Sequence, residues 1–229
     1  MSQTRDESRP VREEDAFDVP AIEAWLGLGP VAEVRQFPGG ASNLTYLLRL
    51  ASGAELILRR PPAGTKARGA HDMSREFRIQ SALKPVFPQV PTMVAYASEA
   101  ESPIGSELYV MERLQGRIPR SEFGFPVSPD QADALCSAAV DTLVALHSID
   151  VAGVPELAAL DKGKGYVARQ VGGWIKRLDN ARTDDTGDWS DITGWLDEHQ
   201  PADVASAMIH NDLIAPSTVR STPSRCRRR

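Results

Sequence analysis

Apolar positions up to about residue 112 recur mainly with the two-residue period of strands, and from residue 128 with the helical period. A short helix is expected first, at Pro20–Leu26. Pro20 suits its first turn, Ile22, Trp25 and Leu26 share a face, and Gly27 and Gly29 stop it. Strands follow at Val31–Phe37, Thr45–Leu50 and Glu55–Arg59, with Ala51-Ser52-Gly53 turning the last two into a hairpin. His71–Leu83 has the helical stripe Met73, Phe77, Gln80 and Leu83, and Leu108–Met111 is a further short strand. The second half is helical. Ser128-Pro129-Asp130-Gln131 carries an N-cap serine, a first-turn proline and a capping-box glutamine. Behind it Ala132, Leu135, Cys136, Ala139, Leu143 and Leu146 form one stripe, expected to be buried. Further helices fit Tyr166–Leu178 and Asp191–His199, with Trp174 and Trp195 expected as core anchors alongside Trp25. The pattern predicts an α+β chain, a small sheet-plus-helix lobe followed by an α-rich lobe.

Charge changes the picture at one end. The 229 residues carry 26 Lys and Arg against 31 Asp and Glu, a formal charge of −5. All the acidic residues lie at or before Asp212, whereas Arg220, Arg225, Arg227, Arg228 and Arg229 follow it. The body is therefore near −10 and the end +5. An acidic body is a poor nucleic-acid binder, because duplex affinity comes from cationic phosphate contacts. No apolar run approaches the roughly 20 residues of a membrane helix. The polar start at Met1–Asp18 lacks a signal-peptide core, and Met1 to about Asp15 is expected to be disordered. With only Cys136 and Cys226, a disulfide framework is not expected. A cytoplasmic protein is the expectation, with no nucleic-acid or membrane partner.

Three places can carry chemistry. Gly39-Gly40-Ala41-Ser42-Asn43 lies between two expected strands, where small residues let backbone N–H groups approach a phosphate and Ser42 adds a hydroxyl. Taken alone, the segment reads first as an ordinary Gly-rich hairpin turn. Leu56-Ile57-Leu58-Arg59-Arg60 puts cations at a strand end, and the next helix holds Glu76, so a phosphate-binding cation braced by a carboxylate is available. Solvated arginines, with Glu76 paired locally to Arg75 or Arg78, are the alternative. His210-Asn211-Asp212 offers a carboxylate that can accept a hydroxyl proton, or a polar turn.

The order of these pieces resembles the aminoglycoside phosphotransferase family, which has a protein-kinase-like fold. The segments GGASNLTYLL, LILRRPP, DMSREFRIQSAL, LYVMERLQGR and LVALHSID look closest to the branch with a kinase-like domain at the front of some acyl-CoA dehydrogenase fusion proteins. The resemblance spans about Glu23 to Asp212. It implies a two-lobed fold and transfer of the γ-phosphate of ATP, with Mg2+, to a hydroxyl of a small molecule. It makes Gly39, Gly40, Ser42 and Asn43 the loop over the phosphates. Arg59 falls where the family has a lysine, with Arg60 the alternative, and Glu76 is its partner. Glu112 and Arg113, after Met111, become the hinge, offering backbone groups to adenine. Asp212 becomes the catalytic base and His210 its structural companion.

The same resemblance implies an Asn five residues after Asp212, where Ser217 stands, and a later acidic metal ligand, although no Asp or Glu follows Asp212. The expected organisation is a disordered start over 1–19, a nucleotide-binding lobe over 20–113, a partial helical lobe over 114–212 and a basic tail outside the family pattern over 213–229. A reading-frame shift or truncation would account for that tail. Loss of the metal-binding segment would impair transfer and leave helical apolar faces exposed. A nucleotide-binding module without catalysis is the alternative.

Overall fold

The computed structural model describes residues 8–38, 43–62, 72–116, 126–163, 165–203 and 207–210. The expected loop residues Gly39, Gly40 and Ser42, and Asp212, lie outside the described residues. Two compact units are present, with the division falling between Thr142 and Leu143.

The first unit is built on an antiparallel sheet of five strands: β1 (Val31–Gln36), β2 (Leu44–Leu50), β3 (Glu55–Arg60), β4 (Met93–Ala97) and β5 (Leu108–Glu112). Their order is β1-β2-β3-β5-β4. The β2–β3 hairpin turns through Gly53, whose φ of 88° needs a residue without a Cβ. β4 was not expected. Its five residues are almost all apolar and show no alternation, so periodicity could not mark it.

On β3 alternation decides where each side chain goes. Leu56, Leu58 and Arg60 point to one face, Glu55, Ile57 and Arg59 to the other. The first face carries a core of Tyr46, Leu48, Leu50, Leu56, Leu58, Leu108 and Val110, all buried. Helix α1 (Val19–Leu26) covers it through Ile22, with Trp25 and Leu26 alongside. Asp18 caps α1 by accepting from the Ala21 N–H at 3.1 Å, and Gly27 closes it at a φ of 63°.

Residues 8–18 are ordered, which corrects the expected disorder of the start. Arg9 and Gln36 exchange two backbone hydrogen bonds at 2.8 Å, and Glu13–Asp15 forms one 3-10 turn. The Asp15 carboxylate is buried, accepting from Gln36 Nε2 at 2.7 Å and Arg12 Nε at 2.7 Å. Its carbonyl accepts from the Tyr46 hydroxyl at 2.9 Å and from Arg60 Nη2 at 2.8 Å. Phe17 meets the Tyr46 ring edge-on, with centroids 5.0 Å apart. Composition hid this segment because its polar groups find buried partners on β1, β2 and β3 rather than water. Burial raises the Asp15 carboxyl, but the Gln36 hydrogen bond and the Arg12 contacts more than offset that and hold it below its ordinary value.

A carboxyl lowered in this way stabilises the fold above its unfolded value, near 3.8, and the contribution is lost as pH falls through the folded value. Asp15→Asn is therefore expected to lower urea-unfolding stability by about 1–3 kcal/mol at pH 7. The gap to the parent chain should shrink below about pH 4.

Helix α2 (Met73–Leu83) packs on β4 and β5 over the other face of the sheet. Asp72 caps it through the Arg75 N–H at 2.8 Å. Glu107 adds a second tie, accepting from the Ser74 N–H at 3.1 Å and the Tyr96 hydroxyl at 2.8 Å. Phe77 packs on Tyr96, with centroids 5.5 Å apart. The register of α2 over the strands is thereby set at both its first and second turns.

Helix α3 (Pro129–His147) starts with the expected capping box, Ser128 and Gln131 exchanging bonds at 2.9 and 3.2 Å. Its stripe is not buried as expected: only Leu146 is, while Leu135 and Cys136 are exposed. The second unit, from Leu143, adds α4 (Pro155–Ala158), α5 (Tyr166–Ala181) and α6 (Ser190–Glu198). Trp174 and Trp195 are 65% and 58% exposed, so they are not core anchors. α5 and α6 pack on each other and share an open apolar cleft of about 450 Å3, which leaves their apolar faces partly uncovered. Among the described residues no helix is long and apolar enough to cross a membrane.

Candidate active site

Cross-strand register places Arg59 directly opposite Tyr109 on β5, with Thr45 on its other side. Directly opposed residues on one face stand about 5 Å apart at Cβ, close enough for their functional groups to meet. Above them α2 presents Glu76. Arg59 Nη1 donates to Glu76 Oε2 at 3.0 Å and to the Tyr109 hydroxyl at 2.8 Å. That hydroxyl is 2.9 Å from Glu76 Oε2. Asn43 Nδ2 donates to Glu76 Oε1 at 3.3 Å.

The direction of each bond follows from the groups. A guanidinium has no acceptor and a carboxylate no proton, so the Tyr109 hydroxyl accepts from Arg59 and donates to Glu76. Burial raises the Tyr109 phenol to about 12, the Glu76 charge adding to it against the lowering effect of Arg59, so the donor proton stays in place. Arg59 and Glu76 keep 28% and 36% of their side chains exposed. A pair so exposed adds at most about 1 kcal/mol to stability. Its consequence is positional: a cation stands on the α2 face of the sheet.

The structure thus separates the two arginines. Arg59 pairs with Glu76, whereas Arg60, one residue on, points to the opposite face and is held by the Asp15 carbonyl over the Tyr46 ring, 5.6 Å from its centroid. Glu76 does not pair with Arg75 or Arg78 among the ion pairs of the described residues.

Glu112 ends β5 and Arg113 follows it. The Glu112 N–H donates to the Thr92 carbonyl at 2.9 Å, and its carboxylate meets Lys84 Nζ at 3.3 Å. Contacts with Thr92 hold that carboxyl below its ordinary range, and Lys84 adds to this. Of the backbone groups expected to meet a base, the Glu112 N–H is therefore already committed to the protein. Arg113 Nη1 donates to Glu55 Oε2 at 2.6 Å, and Gln115 Nε2 joins it there at 3.1 Å. Burial raises the Glu55 carboxyl, but hydrogen bonds from Arg49 and the Arg113 charge outweigh it and keep the group ionised. One strand, β3, thus holds the linker at its hairpin end and the cation at the other.

His210 is exposed and in no helix or strand of the second unit. Sequence reasoning missed Tyr109, Glu107 and Glu55. A tyrosine inside the apolar run Leu108-Tyr109-Val110 was the one available signal, since a buried phenol needs a partner. Glu55 and Glu107 depend on strand register, which no local pattern encodes.

Among the described residues no group of three or more His, Cys, Asp or Glu side chains is placed to hold a metal ion. Arg59 is a braced, partly exposed, planar cation, a group able to meet phosphate oxygens.

Comparison with known proteins gives the chain a family. The model of the phosphotransferase enzyme family matches residues 33–226, a range that runs past Asp212 into the arginine-rich segment. Acyl-CoA dehydrogenase family member 11 of Rattus norvegicus is 36% identical over 238 residues, covering 99% of this chain and 30% of its own length. A solved structure from Ralstonia eutropha JMP134, assigned as an aminoglycoside phosphotransferase, is 30% identical with a TM-score of 0.64 over 81% of this chain and 54% of its own. A macrolide 2'-phosphotransferase type I shares the fold at 18% identity and a TM-score of 0.56, over 90% of this chain and 67% of its own. The chain therefore spans under a third of the rat relative and about half of the Ralstonia protein. With a family match over most of its length and the cation–carboxylate pair in place on the sheet, the chain belongs to the phosphotransferase enzyme family.

Proposed function

We propose that the α2 face of the sheet binds ATP, and that the chain takes part in moving its γ-phosphate to a small-molecule hydroxyl. The observation that carries this reading is the Arg59–Glu76 contact at 3.0 Å, on the strand and helix where a phosphate cation and its brace belong. Bound ATP would supply the phosphoryl group. Arg59 would neutralise charge at the phosphates, Glu76 and Tyr109 would hold its plane, and the Gly39–Asn43 segment would close over them. Asp212 would accept the proton of the acceptor hydroxyl as that oxygen bonds to phosphorus and the β–γ bridging bond breaks, with His210 steadying the loop. Arg113 and the hinge backbone would meet the base. Magnesium belongs to this reading only through the family.

The name of the rat relative points to acyl thioesters, so a hydroxyacyl thioester is the first acceptor class to offer, with aminoglycosides second. A role in binding without transfer is favoured by Ser217, which replaces the amide that the family pattern asks for five residues after Asp212.

The test is transfer of γ-labelled phosphate from ATP to a panel of both acceptor classes, with and without Mg2+. Label on a hydroxyl supports transfer. Calorimetric ATP binding without any labelled product supports the binding role. Neither binding nor label would overturn the proposal.

A further inference from the structure

We infer that Tyr109 is a positioning residue for Arg59, fixing the plane of the guanidinium that meets phosphate. This rests on the reading that the α2 face takes a nucleotide, and it concerns a residue outside the three sequence motifs. Tyr109 is fully buried, opposite Arg59 across β3 and β5. Its hydroxyl sits between Arg59 Nη1 at 2.8 Å and Glu76 Oε2 at 2.9 Å, while Nη1 reaches the same carboxylate oxygen at 3.0 Å. The three polar atoms close a small triangle.

Nη1 thus donates to two acceptors, the Glu76 carboxylate and the Tyr109 hydroxyl. Two contacts on one nitrogen, from two different elements, restrict the guanidinium more than either does alone. The brace comes from two elements at once, β5 through Tyr109 and α2 through Glu76. α2 is itself tied to the sheet by Glu107 between Ser74 and Tyr96. An arginine at this position needs such a brace more than a lysine does, because the direction of a planar fork decides which oxygens it can meet.

The test uses the full chain with 15N-labelled arginine. The Arg59 Nη signals are assigned by their loss in Arg59→Lys. Held Nη protons give resolved signals, and freely rotating ones average. In the parent chain Arg59 should give a resolved Nη signal, and Tyr109→Phe should average it while the thermal melt stays cooperative. Tyr166→Phe, half-exposed in the second unit, should leave it unchanged. Calorimetry with ATP should show affinity about fivefold weaker in Tyr109→Phe, the loss expected for one hydrogen bond. If that variant does not melt cooperatively, Tyr109→Met replaces it.

A resolved Arg59 signal that survives loss of the hydroxyl overturns the inference. So does unchanged ATP affinity in a variant whose signal has averaged. If the parent binds no ATP yet the signal averages without the hydroxyl, the nucleotide reading falls and the positioning of Arg59 by Tyr109 stands.

Discussion

Arg59→Met should weaken ATP binding by about 10- to 100-fold, the loss of one charge-assisted phosphate contact of roughly 1.5–3 kcal/mol. Methionine keeps much of the length and apolar stem while removing every donor. Calorimetry in low and moderate salt checks it, since a lost phosphate contact should also flatten the salt dependence. Arg59→Lys should fall between the two, because an ammonium keeps the charge and gives up the planar fork that Glu76 and Tyr109 hold. Arg60→Met should behave differently. Arg60 faces the α1 side and is held by the Asp15 carbonyl, so its loss should cost stability and leave ATP affinity near the parent value. Equal effects of the two substitutions on ATP affinity would show that the face assignment is wrong.

The second large effect concerns transfer rather than binding. Asp212→Asn should lower labelled-phosphate transfer by about 10²- to 10⁴-fold, the usual contribution of a general base. ATP affinity should stay within about twofold, because the base acts on the acceptor hydroxyl and not on the nucleotide. Transfer that persists in Asp212→Asn would remove that residue from the proposed mechanism. A parallel loss of ATP affinity would assign it to binding instead.

Much of the first unit could be read from the sequence because its strands and caps are local. The alternation in β1 to β3, the Gly53 turn and the Ser128–Gln131 box all act within a few residues. The Arg59–Glu76 pair was also legible, since strand, cation, helix and carboxylate come in that order along the chain. What sequence left open was which arginine reaches Glu76. That choice is a matter of strand face, and a shift of one residue reverses it.

The residues missed were those whose partners lie far away in sequence. Tyr109 meets Arg59 50 residues earlier, and Asp15 meets Arg60 45 residues later. The start looked too polar to order because composition counts charges and not their partners. In the helical half periodicity was right about elements and wrong about burial. Trp174, Trp195 and the α3 stripe have the spacing of buried residues, yet spacing says only that a face is apolar, not that another element covers it. Asp212 lies outside the described residues, and the role proposed for it follows from the resemblance.

Nucleotide bound on the α2 face of the five-stranded sheet should leave a local footprint. Hydrogen exchange followed by mass spectrometry, on the full chain with and without saturating ATP, tests it by location. Slower exchange is expected in peptides covering β3, α2 and the segment from β5 through Gln115, with α5 and α6 unchanged. Protection confined to α5 and α6, or no change across β3, α2 and β5, would contradict it.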